Sequence, residues 1–234
     1  MYRILEFHSN VFFNRKRIKN PKKNPYLNWS DGKAKEFLGK LLKVISQRRI
    51  YPVCCAVNVK VFESYSYGER CTVAGYETTP SHRRTQRPAP YHVAFRLMIG
   101  DAAEKVHPDT ALHFTFADQA DYKERAIEVY DRTREYGHPN IRRHLKGIAF
   151  EPPIDWPGLQ AADLFVNRWY NSLVQTESGR SLSRENQIIM NILTHKRRDI
   201  ILLDAAGIER LFAEISPEAR RRLRAVQEPR WETK

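Results

Sequence analysis

Two spacings of apolar residues alternate along the chain, and they predict alternating helices and strands. Between residues 34 and 49 the apolar positions follow the spacing i, i+1, i+4, i+5, i+8, which marks one face of a helix. The β-branched and partly alternating segment 50–62 predicts a strand. The later segments are predicted as helix 91–106, strand 110–117, helix 121–137, strand 146–151 and a helix within 155–173. This order is typical of an α/β domain.

Three segments do not follow this alternation. Residues 14–33 contain prolines, asparagines and many basic residues, which predict an irregular basic loop. Residues 63–90 are rich in Tyr, Thr, Ser, Arg and Pro, so we expect a long loop there. From about Arg184 onwards the chain is expected to be helical, and this includes the short apolar run IILLDAAG.

The length and composition limit how many domains the chain can form. A chain of 234 residues with 41% hydrophobic content can bury a full core. We predict one α/β domain over residues 1–180. Residues 181–234 are predicted to be a helical C-terminal extension that packs on this domain.

The charge balance is strongly basic. Forty Lys and Arg against 27 Asp and Glu leave a net charge of +13, and the basic residues are spread along the chain. This favours DNA or RNA as the partner, because each Lys or Arg placed on a phosphate releases counterions. The candidate phosphate contacts lie in the two predicted loops and are Arg15, Lys16, Arg17, Lys22, Lys23, Arg83, Arg84 and Arg87. The alternative is a basic protein without such a partner, whose loops are merely solvated.

Several other classes of protein are disfavoured. The three cysteines, two of them adjacent at Cys54 and Cys55, form neither an even disulfide framework nor a CxxC zinc pair, so we expect reduced and mostly buried thiols. No window approaches the ~20 apolar residues that cross a bilayer, so no membrane partner and a cytoplasmic location are expected. The sequence contains no GxSxG nucleophile motif, no phosphate-binding glycine loop and no dinucleotide fingerprint.

Three acidic residues from separate segments are candidates for a shared site. Asp118 directly follows the strand 110–117, and Asp163 lies near the start of the helix that follows the strand 146–151. Side chains at the carboxyl ends of strands in an open α/β sheet collect at one edge. Glu6 is a third acid, flanked by apolar residues, with His8 on the same face if the segment is extended.

Carboxylates gathered in this way need a cation. Three of them cannot all stay ionised in one site without one, and hard oxygen ligands suit Mg²⁺ or Mn²⁺. Two-metal nucleases use this arrangement to activate a water and to stabilise the leaving oxygen. The pattern therefore predicts a metal site at Glu6, Asp118 and Asp163, with His8 assisting proton movement.

Each of these residues also has a structural alternative. Asp163 could complement the macrodipole at the start of its helix. Asp118 could be the N-cap or turn residue before the next helix. Glu6 could be an exposed strand residue, and His8 a structural histidine.

The segment PGLQAADLFVNRWYN resembles the C-terminal signature of the bacterial domain-of-unknown-function family numbered 3800, whose members typically read Leu-Gln-x-Ala-Asp-Leu at this place. LEFHSN resembles the family's internal Glu-x-His element, and HFTFADQADYKERAIEVY resembles its strand followed by a helix. The resemblance spans most of residues 4–175. It implies a ribonuclease H-like fold, a mixed sheet flanked by helices.

The same resemblance implies an activity. It places an acidic metal site at Glu6, Asp118 and Asp163, with Gln160 as a motif residue beside it and His8 as an auxiliary group. The implied reaction is phosphodiester hydrolysis or transfer in nucleic acid, in a setting such as defence against phage or mobile elements.

One departure from the family pattern leads to a second hypothesis. Family members usually begin with a strand that ends in an Asp-Glu-Ser-Gly-like element and supplies the first catalytic Asp, and nothing like it precedes LEFH here. Either the chain starts downstream of that strand, or the strand has been lost. In the second case a degenerate fold could bind nucleic acid without cutting it, with the basic helix EARRRLRAV as a contact. A missing strand would also leave a sheet edge for a protein partner or a second copy.

Overall fold

The computed structural model describes residues 9–47, 53–76, 88–194, 199–213 and 215–228, which form a mixed α/β structure. The strands are β1 Val53–Val57, β2 Leu112–Ala117, β3 Leu145–Glu151 and β4 Asp199–Leu203. The helices are α1 Ser9–Phe13, α2 Asp31–Gln47, α3 Val59–Ser64, α4 Tyr67–Val73, α5 Pro90–Lys105, α6 Ala120–Tyr136, α7 Pro139–Arg142, α8 Pro157–Glu177, α9 Arg184–Thr194, α10 Ala205–Leu211 and α11 Pro217–Ala225. The predicted helices 34–49, 91–106, 121–137 and 155–173 and the predicted strands 110–117 and 146–151 are confirmed, with small shifts at their ends.

Within the described residues, the strands pair as two small parallel sheets, β1 with β4 and β2 with β3. At the start of the β2–β3 pair the amide of Leu112 donates to the carbonyl of His144 at 2.8 Å. At its end the amide of Asp118 donates to the carbonyl of Glu151 at 3.0 Å. Because the partners advance in the same direction, the carboxyl ends of β2 and β3 lie at the same edge.

The prediction of one strand over 50–62 is wrong beyond Val57. Asn58 follows the strand, and its side-chain oxygen accepts a hydrogen bond of 3.2 Å from the amide of Val61. This N-cap starts α3, so the alternating residues after Asn58 are helical. The alternating pattern predicted a strand because hydrophobic periodicity does not reveal the N-cap residue Asn58 in the middle of the segment.

Two other predicted segments are also corrected. The loop expected over 63–90 contains α4, whose start has a reciprocal capping box between Ser66 and Glu69. Residues 77–87 of that loop lie outside the described residues. The apolar run IILLDAAG, expected to be helical, supplies strand β4 and only then the start of α10.

One compact unit of the chain consists of Met1–Val53, Phe116–Asp118 and Glu151–Asp199. Its N-terminal part is held by edge-to-face aromatic pairs, with ring centroids 5.2 Å apart for Phe12 and Tyr26 and 5.3 Å apart for Tyr26 and Trp29. These rings anchor the chain around the predicted basic loop.

A buried asparagine shapes that basic loop. The amide nitrogen of Asn24 donates to the carbonyls of Arg15 and Ile18, both at 2.7 Å, and its oxygen accepts from the amide of Tyr26 at 3.0 Å. The buried Asn24 side chain therefore fixes the backbone of this loop at three points. The loop is irregular, as predicted.

The other unit consists of Cys54–Thr115, Gln119–Phe150 and Ile200–Lys234. It contains the β1–β4 sheet, the packed helices α5, α6 and α7, and the contact of α11 with α4. The predicted division of the chain at residue 180 stays a prediction.

The three cysteines are free thiols, with Cys54 and Cys71 buried and Cys55 half-buried. Burial raises the pKa of the Cys54 thiol to about 11 and that of the Cys55 thiol to about 12. Among the described residues, no helix is both long and apolar enough to cross a membrane.

Candidate functional site

The candidate site is built at the edge where β2 and β3 end. Asp118 is the first residue after β2, and its amide bonds to the last residue of β3, Glu151. Residues 152–156 then connect this edge to α8. The parallel pairing therefore brings Asp118 close to the chain segment that leads directly into the helix of Asp163.

Helix α8 starts at this edge for local reasons. Pro157 occupies its first position, where a missing amide proton costs nothing. The side-chain nitrogen of Gln160 donates to the carbonyl of Pro153 at 3.0 Å, which ties the first turn of α8 to the connecting 3₁₀ turn Pro153–Asp155. Gln160 thus helps to position the start of the helix that carries Asp163.

The N-cap alternative for Asp118 and the macrodipole alternative for Asp163 do not fit their places in the fold, whereas Asp118 does lie in the turn between β2 and α6. The N-cap of α6 is Gln119, so Asp118 is not the capping residue of that helix. Asp163 is the seventh residue of α8, and no acidic residue lies in the first turn of this helix. Because the influence of the macrodipole falls off within the first turn, it does not account for Asp163. Both aspartates are exposed.

The other two members of the predicted site are Glu6 and His8. Glu6 and His8 are outside the described residues. Among the residues that are described, no group of three His, Cys, Asp or Glu side chains is arranged to hold a metal ion. The described part of the chain thus contains two of the three predicted carboxylates. Glu151, which sequence reasoning did not consider, adds a further acidic residue at this edge because it ends β3.

The predicted phosphate contacts in the N-terminal loop fall into two groups. Arg15 is mostly buried, and its guanidinium donates to Asp31 at 2.6 Å and to the carbonyl of Phe12 at 3.2 Å. Lys16 also pairs with Asp31, at 2.7 Å. Hydrogen bonds from Lys16 and then from Arg15 lower the pKa of the Asp31 carboxyl.

The other three predicted phosphate contacts in this loop are exposed to solvent. Arg17, Lys22 and Lys23 are exposed, and none has an ion pair among the described residues. They are therefore available to an anionic partner, whereas a phosphate on Lys16 must compete with Asp31. Arg83, Arg84 and Arg87 lie outside the described residues.

The basic helix α11 is partly used inside the fold. Arg220 and Arg224 each donate through Nε to the buried carboxylate of Glu69, both at 2.9 Å. Arg222 pairs with Glu218 on the surface at 2.5 Å, and Arg221 is exposed. The arginines of this helix are therefore divided between structural contacts and solvent, which sequence alone did not indicate.

Sequence reasoning also missed two aromatic residues on α8. Trp156, its N-cap, and Tyr170 are exposed to 43% and 63%. Both stand in the apolar run that predicted a core helix, so their exposure had no signal in the hydrophobic pattern. Tyr170 lies seven residues after Asp163 within α8, so these two exposed residues share one face of the helix.

Comparisons with known proteins give no information about this site. No protein-family model, no curated protein and no solved structure matches this chain.

Proposed function

We propose that this protein is a divalent-metal-dependent nuclease with a ribonuclease H-like arrangement, acting on phosphodiester bonds of DNA or RNA. The observation that carries the proposal is the 3.0 Å hydrogen bond from the amide of Asp118 to the carbonyl of Glu151. It means that β2 and β3 end at one edge, from which α8 and Asp163 depart. An edge of this kind is where α/β proteins assemble their sites.

The roles follow from the chemistry of the side chains. Asp118 and Asp163 would hold one or two Mg²⁺ or Mn²⁺ ions, together with Glu6. A divalent ion held there would supply activation of a water and charge stabilisation of the leaving oxygen. His8 would orient that water or accept its proton, and the cations of the basic loop would hold the phosphate backbone. Defence against phage or mobile elements is the biological setting that we propose.

Two features support this proposal over a capping role for Asp118 and a macrodipole role for Asp163. Both carboxylates are exposed, so a substrate can approach them. Neither is explained by capping or by the macrodipole of its helix. The net charge of +13 further favours a polyanionic substrate.

The test is cleavage of labelled single- and double-stranded DNA and RNA with Mg²⁺, Mn²⁺ or EDTA. We expect cleavage with either metal, none with EDTA, and loss of cleavage in Asp118→Asn and in Asp163→Asn, which keep the shape and remove the charge. Glu177→Gln is the matched control, because it removes an exposed acid from the same helix and should retain activity. Cleavage that survives in both aspartate variants would contradict the proposal.

A second candidate function is nucleic-acid binding without cleavage. The observation that favours it is the group of exposed cations Arg17, Lys22 and Lys23 on the basic loop, which have no ion pair within the described ranges of the chain. In that case no metal supports cleavage, while salt-sensitive binding is equal in the wild type and in Asp163→Asn. Substitution of the three cations by Gln would then weaken binding and reduce its salt dependence.

A further inference from the structure

The basic loop between α1 and α2 concentrates positive charge on a short stretch of chain. Six cations lie within residues 15–23, and the sequence has no acidic residue between Glu6 and Asp31. Four of the six are exposed and form no ion pair within the described ranges of the chain; these loop cations are Arg17, Lys19, Lys22 and Lys23. Their charge is local to this surface and does not depend on the net charge of the whole chain.

Hydrogen bonds to three asparagines hold the backbone of this stretch in turns. The amide of Arg17 donates to the carbonyl of Asn14 at 2.8 Å. The amide of Lys22 donates to the side-chain oxygen of Asn20 at 2.9 Å, and the buried Asn24 fixes the end of the stretch. Because the backbone that carries the loop cations is already folded, less conformational entropy is lost when a partner binds.

The basic loop presents charge without an aromatic surface. Phe12 is 1% exposed and Tyr26 is fully buried. Trp29 packs edge-to-face on Tyr26, and the Nζ of Lys33 lies 4.7 Å from the centre of the Trp29 side chain. Proteins that bind single strands combine a basic groove with exposed rings on which bases stack. Residues 14–30, all of them described, expose no such ring, so the contacts of this loop go to phosphates.

The composition of the loop favours a duplex over an anionic membrane. Three of the four loop cations are lysines, whose ammonium groups are point charges that accept any phosphate. A duplex presents one negative charge per about 1.7 Å of its axis, so several cations on one loop can each reach a phosphate. No large apolar side chain is exposed in residues 14–30, whereas surface-bound membrane segments bury such groups in the lipid.

Asp31 holds the two remaining cations of the loop. Its carboxylate accepts from the guanidinium of Arg15 at 2.6 Å and from the Nζ of Lys16 at 2.7 Å. The Lys16 side chain is 72% exposed, so it lies at the surface although it is paired. A phosphate that binds Lys16 must therefore replace Asp31.

We propose that the basic loop binds the phosphate backbone of double-stranded nucleic acid independently of base sequence, and that Asp31 limits its affinity by holding Lys16. The inference rests on the proposed function and specifies its substrate class. The four loop cations supply the contacts, and the asparagine-held turns present them together. Phosphate contacts of this kind position a protein on a duplex but carry no sequence information.

The test is fluorescence anisotropy of labelled duplexes of two unrelated sequences and of the matching single strands, in EDTA and at several salt concentrations. The wild type is expected to bind both duplexes equally and to prefer them to the single strands. Substitution of all four loop cations by Gln should raise the Kd for the duplex at least about tenfold. It should also reduce the slope of log Kd against log salt by about 3, since each phosphate contact contributes about 0.9.

A matched control separates the loop from the total charge of the chain. It replaces by Gln the same number of exposed cations outside the loop, namely Lys60, Arg180, Arg184 and Arg210. This variant should keep the Kd and the salt slope close to those of the wild type. Equal losses in the two variants would mean that only total charge matters, and would overturn the inference. Thermal unfolding should be the same in both, because all eight side chains are exposed.

Asp31→Asn tests the second part of the inference in the opposite direction. Removal of the carboxylate frees Lys16 for a phosphate, so the Kd for the duplex should fall and the salt slope should increase by about 1. A substitution that merely disturbed the loop would weaken binding instead. An unchanged or raised Kd would show that Asp31 does not limit the affinity.

The outcomes also distinguish this inference from the proposed nuclease activity. If the loop variant binds duplexes as the wild type does, or if single strands are preferred, the inference is overturned while the metal-dependent cleavage can stand. If the loop variant loses duplex binding but no metal supports cleavage in the wild type, the binding surface stands and the nuclease chemistry falls. If the substitutions abolish only binding to vesicles that contain phosphatidylserine, the loop contacts a membrane and the inference is wrong.

Discussion

The Nε atom of Arg220 lies 2.9 Å from a carboxylate oxygen of Glu69, which is 151 residues away in the chain. The side chain of Glu69 is only 4% exposed, and the Nε of Arg224 approaches the same oxygen at 2.9 Å. Burial acts to raise the pKa of Glu69, but hydrogen bonds from Arg220, Arg224 and Ser66 together lower it. The carboxylate therefore stays ionised and fastens α11 to α4.

Replacement of Glu69 by Gln should loosen this attachment. Gln keeps the shape but leaves two arginines without their buried counter-charge, and we expect a loss of about 3 kcal/mol in the free energy of unfolding. Urea unfolding measures the loss, and trypsin should cleave faster at Arg220 and Arg224. Glu218→Gln breaks only the exposed pair with Arg222 and should cost under about 1 kcal/mol. Equal effects of the two substitutions would contradict this account.

Low pH should weaken the attachment of helix α11, because Arg220 also pairs with Glu209. Hydrogen bonds from Arg220 and then from Tyr65 lower the pKa of Glu209 to about 2. A lowered folded-state pKa stabilises the protein above the unfolded value of about 4.3, and this contribution is lost as the pH falls towards 2. The melting temperature should therefore decrease between about pH 4 and pH 2. In Arg220→Gln the decrease in this window should be smaller; an identical pH profile would show that the pair does not contribute.

The contact between α4 and α11 leaves no room for a side chain at Gly68. A Cβ at this position would lie 2.1 Å from the carbonyl oxygen of Leu223, which is backbone and cannot rotate away. We expect Gly68→Ala to lower the free energy of unfolding by about 2 kcal/mol. Gly39→Ala, on the exposed side of α2 with no atom within 4 Å, should instead be neutral or stabilising by up to about 1 kcal/mol. Thermal unfolding of the two variants compares them directly.

His92 should make stability depend on pH between about 4 and 6.5. The side chain is 1% exposed beside the rings of Tyr76 and Tyr122, and burial lowers its pKa to about 4. Neither ring nitrogen has a hydrogen bond of normal geometry within the described part of the chain. The unfolded chain takes up a proton below about pH 6.5 and the folded chain only below about pH 4, so stability falls as the pH decreases through this window.

His92→Phe tests this relation, because Phe keeps an aromatic ring that cannot be protonated. The pH dependence between about 4 and 6.5 should be reduced by up to about 3 kcal/mol, measured by urea unfolding at several pH values. His107→Gln changes an exposed histidine and serves as the control. A pH profile of His92→Phe that matches the wild type would mean that another group titrates in this window.

Local features of the sequence predicted much of the fold and part of the candidate site. The strands that end before Asp118 and at Glu151, and the helix of Asp163, followed from periodicity, and so did the expectation of an α/β structure. The strand over 50–62 failed beyond Val57 because the Asn58 cap overrides the alternation that follows it. The loop predicted over 63–90 failed in its first part because the capping box of α4 and its burial against α11 are not visible in composition.

The sequence by itself determined which segments carry acids, cations and apolar runs, because residue chemistry and spacing are local properties. Only the tertiary structure decided which of these groups are used internally. The sequence presents Arg220 and Arg224 as possible phosphate contacts, but in the fold both form ion pairs with the buried Glu69. The same packing left Tyr170 exposed on the face of α8 that carries Asp163, since α8 buries its opposite face. Which face of a helix is covered depends on distant parts of the chain, and no local pattern contains that information.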